Sequence, residues 1–311
     1  MSKAKIFDLH ADLAMAVSKY HEAGENSALK DHWQDKFTEG GITWTAAASF
    51  FSGEEDWDTM MKTVKMVSED IEASGAKKIL TADDLDENQT GTAFIMTIEG
   101  MCGIRDHAAE KVQWLYDQGN RIGSLEWNDE NALATGNSGD PSRGLTELGK
   151  EAVARMNELH MIIDVSHANE KTFWDLIDAS DLPVIATHSN AKRLCFVERN
   201  LTDQQIRALA GKGGLIGLNA CDNFISEDPE QRTARTLARH ARYIADLAGI
   251  EHVACGFDFG AYYTEREKHD LASPEQGQNF IEGLRAEGFT EEEIKDIGYR
   301  NVFRFLKKYM Q

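Results

Sequence analysis

The chain is poor in the features that would cross-link it, anchor it or carry it to a polyanion. Its 311 residues hold four cysteines, Cys102, Cys195, Cys221 and Cys255, widely spaced and without a Cys-x-x-Cys pair. A thiolate zinc site of the usual spacing is thereby excluded. Bases are scarce, with 33 Lys and Arg against 53 Asp and Glu and a net charge of −20. Nucleic-acid binding needs a basic face, which this composition does not offer. An acidic surface also repels anionic membranes. No run of 18 apolar residues exists, so no membrane span is expected. No secretory apolar stretch precedes the first motif, and the cytoplasm with reduced thiols is the expected location. With four prolines and no low-complexity linker, residues 1–311 read as one domain. There is no Gly-x-Ser-x-Gly elbow, no phosphate-binding Gly-Lys-Ser/Thr loop and no His-Glu-x-x-His helix.

What is present is a repeated alternation of short apolar runs and helical patterns. Strands are expected near 4–9, 42–49, 93–98, 121–125, 161–166, 183–187, 214–219 and 252–257. Most of these runs are apolar without alternation, as strands buried on both faces should be. Helices are expected over 54–73, from Thr146 to about His160, and over 230–248. Thr202-Asp-Gln-Gln205 and Thr290-Glu-Glu-Glu293 read as capping boxes. The second opens a last helix with Ile294, Ile297, Phe305 and Leu306 on its core face. Strand and helix repeated eight times predict an α/β fold, the (β/α)8 TIM-type barrel. Segment 13–41 is the least regular; it follows strand one on the active-site side, where it would cover the site.

Several of the runs end in a residue that can bind a metal or move a proton: His10 and Asp12, Glu99, His167, His188 and Asp258. Ligands at the ends of parallel strands converge when the sheet closes. In His10-Ala-Asp12 the imidazole and carboxylate point the same way along an extended strand. His167 and His188 end consecutive strands, about 4.8 Å apart, and can reach one metal. A lone carboxylate such as Glu99 can ligate two cations about 3.5–4 Å apart. Asp258 can take the proton of a metal-bound water, although Asp is also a common helix N-cap. Arg199 offers a planar fork for a carboxylate, against a plain surface pair with Glu198. His107, His160 and His252 read as structural.

These motifs resemble the membrane dipeptidase (renal dipeptidase) family of zinc peptidases in the amidohydrolase superfamily. The resemblance rests on Phe7-Asp-Leu-His-Ala-Asp-Leu13, Thr97-Ile-Glu-Gly100, Ile163-Asp-Val-Ser-His167, Thr187-His-Ser-Asn190, Arg199-Asn-Leu-Thr-Asp203 and Gly256-Phe-Asp258. It implies two Zn2+ ions, with His10 and Asp12 on one, His167 and His188 on the other and Glu99 bridging both. It implies dipeptide substrates, attack by a hydroxide held between the zincs, proton transfer by Asp258, and Arg199 on the substrate C-terminal carboxylate. D-residues at the C-terminal position stay open. Family members are often dimers, so a homodimer is the partner the resemblance allows. Two positions depart from the family pattern. Trp127 stands where renal-type enzymes carry a histidine that touches the scissile carbonyl, which leaves polarisation to zinc, to Asn128 or to another group. Asp258-Phe-Gly-Ala261 replaces Asp-Phe-Asp-Gly. Two other readings stay open: an amidohydrolase for N-acyl amino acids, cyclic amides or lactams, and an inactive metal- or peptide-binding barrel.

Overall fold

The computed structural model describes residues 3–260 and 269–310. Ala261 of the variant loop motif lies outside them. The strands are β1 (Ile6–Asp12), β2 (Ile42–Phe50), β3 (Ala93–Glu99), β4 (Asn120–Ser124), β5 (Ile162–Ile163), β6 (Ile216–Leu218), β7 (Val253–Cys255) and β8 (Phe259–Gly260). Every pairing among them is parallel, in the order β5-β4-β3-β2-β1-β7-β6, with β8 also against β1. The helices are α1 (Leu13–Glu22), α2 (Gln34–Gly40), α3 (Trp57–Ala73), α4 (Ala108–Asp117), α5 (Glu147–Glu158), α6 (Glu170–Ala179), α7 (Asp203–Gly211), α8 (Asp222–Ile225) and α9 (Ala234–Ala248) between the strands, and α10 (Gly277–Ala286), α11 (Glu291–Lys295) and α12 (Asn301–Tyr309) after β8. The result is a curled parallel α/β sheet wrapped in helices.

Alternate residues of β3 serve two packing layers. In β3, Phe94, Met96 and Ile98 join the layer under the surrounding helices. Ala93 and Ile95 join Phe7, Leu9, Trp44, Ile122, Ile162 and Ile185 on the other face, where α12 adds Val302, Phe303 and Leu306. The Trp44 and Phe303 rings meet edge-on at 4.7 Å. Truncating such a buried ring costs about 3–5 kcal/mol. Glu99 shares the face of Ala93 and Ile95 but stands at the opposite end of the strand. The apolar plug and the polar centre are therefore the two ends of one interior.

The capping signals fold as the sequence suggests. Thr146, Thr202 and Thr290 accept from the backbone N–H three residues on, and both capping boxes are complete. Other expectations need correction. The sixth run, 183–187, forms single bridges, Asp164 with Ile185 and Ala186 with Ile216, rather than a ladder. The cause is local: Asp164 Oδ1 takes the Thr187 N–H and Ser166 Oγ takes the His188 N–H, so side chains replace strand partners. The eighth run breaks at Gly256–Asp258 and resumes as β8. Segment 13–41 is largely helical, not irregular. Its turn at Ala28 and Leu29 is held by Asp70 of α3, which accepts both N–H groups and pairs with His21 at 2.8 Å. The expected C-terminal helix is interrupted between α11 and α12 by a wider turn at Asp296–Arg300.

Candidate metal centre

The strand ends bring the foreseen donors together. His10 Nε2 lies 3.3 Å from Asp12 Oδ1, 3.2 Å from Glu99 Oε2 and 3.8 Å from Asp258 Oδ1. The other oxygen of Glu99, Oε1, lies 2.8 Å from His167 Nε2 and 3.6 Å from His188 Nε2. One carboxylate thus faces two sets of donors with its two oxygens. Two groups of three have ligand atoms within 4.8 Å of one another: His10, Glu99 and His188, and His10, Asp12 and Asp258. His10 belongs to both, and its ring centroid is 3.7 Å from that of His188.

Backbone and side-chain contacts fix the donors. Asp8, two residues before His10, accepts from Phe257 N–H at 2.7 Å and from His10 N–H at 3.3 Å, tying β1 to the end of β7. Asp258 adopts φ 63°, a left-handed conformation that Asp tolerates better than most residues. Its N–H donates to His10 O at 2.9 Å, and Asn219 Nδ2 donates to its Oδ2 at 3.0 Å. Gly217 and Gly256 allow the Thr187 carbonyl to approach; a Cβ would lie 1.9 Å and 1.7 Å from that oxygen.

The hydrogen bonds also set the imidazole tautomers. His167 Nδ1 donates to Asn128 Oδ1 at 2.9 Å. The Thr187 hydroxyl donates to Asp164 Oδ2 at 2.5 Å and so accepts from His188 Nδ1 at 2.7 Å. Both Nε2 atoms then carry lone pairs, and they face each other at 3.0 Å and face Glu99 Oε1. Burial, then the charges of Arg199 and His10 for His167 and of His10 and Arg199 for His188, hold both pKa values well below the usual range. Neutral acceptors aimed at a carboxylate oxygen repel unless a cation lies among them. The donor set therefore fits metal ions, which bind deprotonated ligands.

The remaining electrostatics agree. Burial raises the Glu99 pKa, with the His10 charge opposing. For His10, burial lowers the pKa, but Glu99 and Asp12 outweigh it and hold it well above the usual value. Burial and the nearby Asp12 charge push Asp258 up to about 6.

Arg199 reaches the edge of this centre. Its Nη1 donates to Ser189 Oγ at 2.9 Å, and its Nη2 donates to His188 O at 3.0 Å and lies 3.1 Å from His167 Nε2. The surface pairing with Glu198 does not form; Glu198 pairs with Lys192. Trp127 stands edge-on to Phe50 at 4.9 Å and 6.1 Å from the His167 ring. The Asn128 side-chain carbonyl accepts from His167 Nδ1, which places this residue beside the centre. His252 donates to or accepts nothing at the centre; its Nδ1 pairs with Gly214 O. Sequence reasoning missed Asp8, Asp164, Thr187 and Asn219. Their signal is position: Asp8 and Thr187 lie within two residues of a strand-end donor, and Asp164 and Asn219 directly follow β5 and β6.

A parallel α/β sheet whose strand ends gather imidazoles and carboxylates around one buried carboxylate defines a metal-site enzyme fold. The chain belongs to the membrane dipeptidase family, peptidase family M19, whose model matches residues 1–311. It is 36% identical over 228 residues to an uncharacterized protein in the pqqA 5′ region of Klebsiella pneumoniae, covering 70% of this chain and 83% of that protein. It is 31% identical over 273 residues to an uncharacterized dipeptidase of Schizosaccharomyces pombe, covering 82% of this chain and 65%, just under two thirds, of that protein. Its fold is similar to that of a metallo peptidase from Rhodobacter sphaeroides liganded with a phosphinate mimic of the dipeptide L-Ala-D-Ala. The TM-score is 0.84 at 23% identity, over 99% of this chain and 100% of that one. Among the described residues no helix is long and apolar enough to cross a membrane.

Proposed function

We propose that this chain is a binuclear zinc dipeptidase built on a closed, single-domain (β/α)8 barrel. Segment 184–187 closes the gap between β5 and β6 in this reading, with β7 and β8 counted as one broken strand, supported by its bridges to Asp164 on one side and Ile216 on the other. The observation that carries the function is Glu99, whose two oxygens face His10 on one side and His167 and His188 on the other. His10, Asp12, Glu99, His167 and His188 would hold the ions. When bound, two zinc ions lower the pKa of a shared water and polarise a carbonyl.

The chain's own groups do the rest. Asp258, with Asn219 fixing one oxygen, takes a proton from the attacking water through Oδ1 and returns it to the leaving amine. Arg199 offers its guanidinium, aligned by Ser189 and His188 O, to the C-terminal carboxylate of a dipeptide. Trp127 and Phe50 wall the centre beside His167. The phosphinate-bound relative supports tolerance of a D-residue at the C-terminal position. The four free cysteines suit a reducing compartment such as the cytoplasm.

The test is metal content per chain measured beside an assay on L,L and L,D dipeptides. Two zinc ions, with cleavage lost on chelation and restored by zinc, are expected. Two ions with no dipeptide cleavage would favour an N-acyl or cyclic amide substrate. No metal after reconstitution would overturn the site.

A further inference from the structure

Arg199 sits in a loop, 189–202, whose two ends meet at a bridge between Ala191 and Leu201, and Ser189 Oγ and His188 O hold its guanidinium, so the place of the guanidinium depends on what anchors this loop against the rest of the fold. One buried side chain reaches both segments that frame it. His240, on the buried face of α9, is 0% exposed. Its Nδ1 accepts the Ala191 N–H at 3.1 Å, and its Nε2 donates to Ile225 O at 2.9 Å. Ala191 opens the Arg199 loop. Ile225 closes α8, whose Phe224 ring lies 5.7 Å from the Arg199 guanidinium carbon. Phe224 O in turn accepts from Asn190 at 3.1 Å and Asn200 at 2.9 Å, on both sides of the same loop.

We infer that His240 is the positioning residue for Arg199, clamping the loop and the Phe224 helix together from behind. The inference rests on the reading of Arg199 as the carboxylate-binding group. Neither hydrogen bond of His240 goes to a metal donor or to Arg199, so its role is distinct from theirs. It needs one acceptor and one donor in a fixed geometry, which a neutral imidazole supplies. Burial keeps it neutral, with a pKa lowered to about 4. An apolar side chain of similar volume would fill the space but leave the Ala191 N–H and Ile225 O buried and unpaired.

The experiment compares His240→Leu and His240→Gln with Arg199→Ala in zinc-loaded enzyme. The substrates are L-Ala-L-Ala, L-Ala-D-Ala and L-alanyl-L-alaninamide. Arg199→Ala should abolish the preference for free dipeptide over amide. His240→Leu should raise the dipeptide KM about tenfold, change kcat less than threefold, cut the preference in parallel and leave zinc content intact. His240→Gln can accept and donate, and should restore KM to within about threefold. His240→Met replaces Leu as the apolar filler if Leu does not fold. The inference is overturned if the apolar variant keeps the wild-type preference, if it loses zinc or kcat with the preference unchanged, or if Gln is as impaired as Leu. Wild-type enzyme indifferent to the amide would remove the Arg199 reading and this inference with it. Arg199→Ala losing the preference while His240→Leu keeps it would remove this inference alone.

Discussion

Asp164→Asn tests the centre without touching a metal donor. Asp164 is buried and accepts four hydrogen bonds: from Ser166 N–H at 3.0 Å, Ser166 Oγ at 2.6 Å, Thr187 N–H at 2.9 Å and Thr187 Oγ1 at 2.5 Å. In the variant one oxygen becomes an NH2. If that group takes the Oδ2 place, it must donate to Thr187, and the hydroxyl turns its own proton toward His188 Nδ1. The His188 proton then moves to Nε2, the nitrogen that faces Glu99. Loss of one charge-assisted bond costs about 1.5–3 kcal/mol of stability. Inverting the tautomer should weaken metal binding about 10- to 100-fold, as for other outer partners of ligand histidines. Zinc affinity by chelator competition and the melting temperature of metal-free protein separate the two effects. Wild-type affinity for both ions in a variant whose metal-free form is destabilised would refute the relay from Asp164 through Thr187 to His188.

Glu99→Gln removes the charge that both donor sets share and should impair binding of two ions, whereas His167→Ala should mainly weaken one; metal content against free zinc distinguishes them. Asp70→Ala removes the acceptor for Ala28 and Leu29 N–H and the partner of His21, and should cost about 2–4 kcal/mol by urea unfolding, with zinc affinity unchanged. Glu126 is 0% exposed, and neither carboxyl oxygen has a partner among the described residues. Burial, then the charge of Asp164, holds its pKa well above the usual value. Stability from this group is therefore complete below the unfolded-state pKa of about 4.3 and is lost as pH rises toward the raised folded value, by up to about 1.4 kcal/mol per pH unit. Glu126→Gln should match the wild-type melting temperature near pH 4 and exceed it increasingly toward pH 8. A pH-independent difference would refute the burial of an ionisable Glu126.

Much of the centre was legible because its donors sit at the ends of apolar runs. Phe94 to Ile98 can only be a buried strand, so Glu99 after it must be an expensive group kept for a reason. His10 and Asp12 follow from the period of two. The caps at Thr146, Thr202 and Thr290 were legible because each has its partner three residues along the chain. Segment 13–41 was not, because its order comes from Asp70, some forty residues away, which no local pattern reveals. The contact of Asn128 with His167 was not legible for a related reason: the two residues lie 39 positions apart, and spacing along the chain does not report which amide will meet a histidine.

Segment 183–187 carries the same lesson further. A regular ladder through Thr187 and His188 would give their N–H groups to carbonyls of neighbouring strands. Here Asp164 and Ser166 take them, and the Thr187 hydroxyl is thereby brought between Asp164 and His188. Backbone pairing is surrendered at the two residues where a side-chain network must orient an imidazole. Gly217 in β6 and Gly256 just after β7 make room for the Thr187 carbonyl, which explains two glycines where strands otherwise favour branched residues. The departure from regular structure at this strand end is how the centre is built, and it is the part that hydrophobic periodicity could not report.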